Sequence, residues 1–188
     1  MSDAGPKSQP GDTLAQMPTL VLDPQPHELD ALIERRRRLG QDLFDEVWEG
    51  VLHMNPAPRG RHGAIETQLT VLLAPLAHAA GLVLTGQFNV GAGEQDYRVP
   101  DLGLHRDFAD RVWYPTAALV VEIVSPGDES YKKHDFYAAH QVDELVIVDP
   151  GERAVHWFAL AGGEYREVDH STVVDTGPAE LASQLTWS

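Results

Sequence analysis

The chain has 188 residues, with 14 Lys and Arg against 29 Asp and Glu, a formal charge of −15 at pH 7. Its 43% hydrophobic content is enough for a sizeable core, and the lack of cysteine excludes disulfides, thiolate metal sites and cysteine nucleophiles. No apolar run approaches the roughly 18 residues of a membrane span, and no basic-then-apolar leader opens the chain, so a cytoplasmic protein with no membrane partner is expected.

So acidic a surface repels polyanions at long range. Any contact with nucleic acid must rest on a local basic patch, on bound cations or on a partner.

Residues 1–26 carry five of the 13 prolines and read as a flexible arm, docked if at all through Leu20, Val21 and Leu22. Residues 27–188 read as a single domain. A short helix is predicted from His27 to Leu39, with Leu29, Leu32 and Ile33 on its apolar stripe and Gly40 as its stop. Arg35, Arg36, Arg37 and Arg38 fill its last turn, where cations complement the helix dipole. The alternative is a phosphate-contact patch, with Arg36 and Arg37 joined by Arg61.

Leu43 to Met54 is predicted to fold as a hairpin around Glu49-Gly50. Gly60 to Ala80 is the clearest helix, with Ile65, Leu69, Leu72, Leu73 and Leu76 at helical spacing and Gly81 closing it. Strands are expected over Leu82–Val90, Tyr97–His105 and Ala118–Val124. A helix from Glu129 to about His140 follows, then a strand from Glu144 to Val148. A terminal hairpin is expected around Gly162-Gly163. This order predicts a mixed α/β sheet flanked by helices, with extra hairpins at both ends.

Glu122 is the most informative position. It interrupts an apolar strand, where an ionised carboxylate costs several kcal/mol unless a cation or hydrogen bonds compensate it. Asp101 follows Pro100, and proline marks a strand start, an edge or a bulge, places where side chains are often aimed at a site. Lys133 lies on the helix just after Ser125-Pro126-Gly127. Two carboxylates on neighbouring strands can hold Mg²⁺, and a lysine at the same mouth can orient water and offset phosphate charge.

Several stretches together resemble the Uma-two family, within the PD-(D/E)XK nuclease superfamily. They are Val47-Trp48-Glu49-Gly50-Val51-Leu52-His53-Met54-Asn55-Pro56, then His62, Val99-Pro100-Asp101 and Val120-Val121-Glu122-Ile123-Val124-Ser125-Pro126. Lys133, Tyr137 and Val142-Asp143-Glu144-Leu145-Val146-Ile147-Val148-Asp149-Pro150 complete the match. The resemblance implies a restriction endonuclease-like fold and an endonuclease acting on DNA with Mg²⁺, or Mn²⁺ in its place. Asp101 and Glu122 would be the metal ligands and, with Lys133, the catalytic residues. It also implies auxiliary roles for Glu49, His62 and Tyr137, and a homodimer.

The superfamily lysine normally stands two residues after the acid, where this chain has Val124. Here the Lys-x-x-x-Tyr spacing selects Lys133 over Lys132. Two other readings compete with the endonuclease. One is a nuclease-fold module that binds nucleic acid or protein with little turnover, and the other is a small-molecule hydrolase on the same metal site.

Overall fold

Alternation of apolar residues along two neighbouring strands decides how the site is built. In the computed structural model, which describes residues 20–22, 29–125, 127 and 129–187, strand β9 (Leu119–Ile123) is buried throughout. It lies parallel to β10 (Glu144–Asp149) and antiparallel to β7 (Leu102–His105). These strands form the centre of a six-stranded mixed sheet. Beyond β10 come β11 (Ala154–Ala161) and β12 (Glu164–Glu167), and β4 (Val83–Thr85) lies beyond β7.

Residues 119, 121 and 123 point to one face of this sheet. There they pack against Ile65, Leu69 and Leu73 of helix α2 (Gly60–Ala79) and against Trp157. Val120 points the other way, into a second cluster with Leu145, Ile147 and Tyr137 of helix α3 (His134–Ala139). Period-2 geometry sends Glu122 to that second face as well.

The single sheet read from the sequence is in fact two. The second has the order β1 (Leu20–Leu22), β3 (Val51–Met54), β2 (Glu46–Trp48), β6 (Asp96–Arg98), β5 (Asn89–Gly93) and β8 (Trp113–Tyr114). Two of the predicted strands are each split between the sheets. Leu82–Val90 breaks at the bend of Gly86-Gln87, and Tyr97–His105 breaks at Val99-Pro100, where proline cannot continue a ladder.

The hairpin of β2 and β3 turns at Glu49-Gly50, both with positive φ. The terminal hairpin of β11 and β12 turns at Gly162-Gly163. Helix α1 is shorter than predicted, Asp30–Arg38, and buries Ile33. The segment before α3 is a 3-10 turn, Ser130–Lys133. Helix α4 (Pro178–Gln184), with proline in its first turn, was not predicted. Most of the proposed arm, 1–26, lies outside the described residues; Leu20–Leu22 pairs with β3, in line with the docking expected of that segment. Among the described residues, no helix is long and apolar enough to cross a membrane.

Candidate active site

The antiparallel register of β7 and β9 pairs Leu102 with Val121, so the residue before Leu102 stands beside the residue after Val121. That places Asp101 next to Glu122. The Asp101 N–H donates to the Val121 carbonyl at 3.0 Å, and Asp101 Oδ2 accepts the Ile123 N–H at 2.7 Å. Pro100 lies between the end of β6 and the start of β7, and beside this break the Asp101 carboxylate accepts the Ile123 N–H.

Both carboxylates line a cleft of about 580 Å³, together with Glu46, His62, Ser125 and Lys133. Lys133 Nζ reaches both Glu122 oxygens at 3.0 Å and Glu46 Oε1 at 2.8 Å. The Tyr137 hydroxyl, one turn further along, donates to Glu122 Oε1 from beneath. His62, in the first turn of α2, bridges Asp101 Oδ1 at 2.9 Å and Ser125 Oγ at 3.2 Å.

Electrostatics follow from this geometry. Burial pushes the Glu122 carboxyl up, Lys133 opposes the rise, and the Asp101 and Glu46 carboxylates add to it, for a value of about 8. Burial would lower the Lys133 ammonium, but Glu122 and Glu46 outweigh it and hold Lys133 well above its ordinary value. Burial likewise pulls His62 down, and the Asp101 hydrogen bond and charge more than restore it. Glu66, one turn after His62, is raised by burial and by Asp101. Three carboxyl groups, Glu46, Asp101 and Glu122, thus crowd the same cleft as one lysine.

Lys133 and not Lys132 enters the site. Lys132 is exposed and pairs with Glu129 at 3.0 Å, whereas Lys133 is 7% exposed. Glu49 does not join the site: it sits exposed at the hairpin turn with φ of +50° and is not among the residues that line the cleft. The acid that does join is Glu46, three residues earlier and 1% exposed. Its signal was the hairpin itself, since counting back from the turn pairs Glu46 with His53 inside the sheet.

Arg36 is not a free phosphate contact either. Its guanidinium is held by Asp45 at 2.8 Å and by the Gln41 carbonyl at 2.7 Å. Arg37 pairs with Glu34 at 3.2 Å on the exposed face of α1, and Arg61 is exposed on α2 outside the cleft lining. Arg59, also exposed, is the arginine that lines the cleft.

The donor set suits a hard divalent cation. Asp101 and Glu122 set carboxyl oxygens side by side in the cleft. Among the described residues no group of three or more His, Cys, Asp or Glu side chains is arranged to hold a metal ion by itself. Two carboxylates with water and substrate oxygens are a set that Mg²⁺ commonly takes.

No curated protein matches the chain. A solved structure titled as a "putative nuclease belonging to DUF820" from Anabaena variabilis is 19% identical, with a TM-score of 0.57, over 75% of this chain and 84% of that one. At that identity the likeness speaks for a shared fold, a restriction endonuclease-like one. The Uma2 family model, described as "Putative restriction endonuclease", matches residues 29–188. A match of that extent, over every strand but β1 and every residue of the cleft, places this chain in the Uma2 family.

Proposed function

We propose that the protein is a divalent-metal-dependent endonuclease that hydrolyses phosphodiester bonds in DNA. The observation that carries this reading is the adjacency of Asp101 and Glu122 on paired strands, with Lys133 directed at Glu122 from the opposite wall. Mg²⁺, or Mn²⁺ in its place, bound between these carboxylates would lower the pKa of water and offset charge on the scissile phosphate. Ile123 holds Asp101 through its backbone N–H, so the ligand oxygen is fixed before substrate arrives.

Lys133 supplies three donors on a compact cation, able to orient the attacking water and to neutralise charge that develops on the phosphate. His62, tied to Asp101 and Ser125, holds the Asp101 carboxylate from the α2 side. One such site cuts one strand, so a double-strand break would require two copies, which is where the expected homodimer would matter.

The acidic surface favours a selective enzyme over one that cuts any duplex it meets, because long-range steering toward DNA is unfavourable. A screen over duplex, single-stranded and modified DNA with Mg²⁺, Mn²⁺ and Ca²⁺ tests the reading. Cleavage with Mg²⁺ or Mn²⁺ supports it. Binding without cleavage in every condition replaces it with the binding-module reading.

A further inference from the structure

Lys133 ends a 3-10 turn and carries a flexible four-carbon stem, so its place in the cleft must be imposed by its partners. Glu122 alone offers two equivalent contacts, both at 3.0 Å. The third contact, at 2.8 Å, is to Glu46, which no sequence motif had singled out.

Glu46 is itself fixed from two directions. The Val99 N–H donates to Oε1 at 2.7 Å, and the Trp48 indole N–H donates to Oε2 at 2.8 Å. Val99 lies two residues before Asp101, so this carboxylate spans the lysine and the strand end that presents the first acid. Trp48 in turn stacks on His53 with centroids 4.2 Å apart and packs against the Arg98 guanidinium at 4.4 Å. Arg98 also lies 3.9 Å from the Phe136 ring, on the helix that follows Lys133. The hairpin and the lysine-bearing segment are thus joined through one stack.

We propose that Glu46 is a positioning residue for Lys133, itself fixed by Trp48 and Val99. The ammonium is thereby held between two fixed carboxyl groups, Glu46 on the hairpin and Glu122 on the central strand. The consequence for rate rests on the endonuclease reading above, while the geometry does not.

Glu46→Gln tests the proposal. The amide can still accept from Val99 and Lys133, but it loses the charge and sets an NH₂ against the Trp48 N–H. Reductive methylation with formaldehyde and a borohydride, read by peptide mass spectrometry, reports Lys133 accessibility without any need for activity. Lys133 should be modified several-fold faster in Glu46→Gln than in wild type, on the order of ten-fold, with the exposed Lys132 unchanged. In DNA cleavage, Glu46→Gln should lower kcat on the order of ten-fold at unchanged KM, and should add no further loss in a Lys133→Met background.

Equal Lys133 modification in wild type and in a folded Glu46→Gln variant overturns the proposal. So does an additive loss in the double variant. Trp48→Phe keeps an aromatic ring in the stack, though a smaller one, and removes the indole N–H that holds Glu46. If Glu46→Gln does not fold, the Lys133 modification rate in Trp48→Phe decides, and a wild-type rate there overturns the proposal. A failure of cleavage in every variant, wild type included, would contradict the endonuclease reading and leave the methylation result to judge Glu46.

Discussion

Lys133 and Glu122 meet at 3.0 Å through both carboxylate oxygens, with the glutamate 3% exposed and the lysine 7% exposed. They come from opposite walls: Glu122 from a strand whose alternate residues form the main core, Lys133 from the 3-10 turn that leads into α3. A buried pair of this kind is weak evidence for stability, because desolvation offsets much of its attraction. Its persistence among apolar side chains is better explained by what the cleft must bind.

Truncating the lysine should therefore harm more than activity. Lys133→Ala leaves Glu46 and Glu122 buried without their shared cation, and should cost about 3 kcal/mol or more of stability in metal-free buffer. Lys132→Ala removes an exposed pair with Glu129 and should cost less than about 1 kcal/mol. Urea denaturation of the two variants checks this, and cleavage should be lost only in the first. Equal effects would remove the distinction between the two lysines.

Divalent cation should stabilise the folded state by mass action. At saturating Mn²⁺ the melting temperature of the wild type should rise by roughly 5 °C, if binding adds on the order of 2–3 kcal/mol. Asp101→Ala combined with Glu122→Gln should abolish the shift. Differential scanning calorimetry of the two proteins, each with and without Mn²⁺, is sufficient.

The arginines divide by their partners. Arg59→Glu, at the cleft mouth, should weaken DNA binding and reduce its salt dependence. Arg37→Glu should change binding little. Arg36→Glu breaks the contacts to Asp45 and Gln41 and should lower stability by about 1–2 kcal/mol. Salt-dependent binding and thermal melts of the three variants separate these effects.

His105 gives the fold a pH dependence away from the cleft. It is buried beside Phe88 and Tyr114, and its Nε2 lies 3.0 Å from Thr85 Oγ1. Burial, with a smaller contribution from Arg111, lowers its pKa from 6.5 to about 4. Below pH 6.5 the unfolded chain takes up a proton that the folded chain refuses, so stability falls with falling pH until about pH 4. The loss across that window should be on the order of 3 kcal/mol. Denaturation midpoints of wild type and His105→Gln at pH 7 and pH 5 should show a shallower pH dependence in the variant.

How much of this was legible beforehand differs by residue. Glu122 is visible because an acid in an all-apolar strand demands compensation; Lys133 stands out by its place after Ser125-Pro126-Gly127, and the spacing to Tyr137 that separates it from Lys132 comes from the family resemblance. Asp101 needed the resemblance as well as its proline. Glu46 was passed over in favour of Glu49, since both are acids near a turn and only the register separates the paired residue from the turn residue. The split into two sheets was hidden because period-2 patterning reports that a segment is extended, not which sheet it joins. Glu144 lay inside a recognised motif, yet its role is structural: it accepts from Trp157, Ser171 and both donors of Thr172, tying the segment before α4 to the sheet.

The most direct measurement is nicking of supercoiled plasmid with Mg²⁺ or Mn²⁺, by wild type and by Asp101→Ala purified in the same way. The account predicts metal-dependent conversion to the open-circular form by wild type, suppressed by EDTA and reduced at least about a hundred-fold in Asp101→Ala. Equal nicking by the two proteins, or nicking by wild type that persists in EDTA, would contradict the assignment of the cleft as a metal-dependent nuclease site.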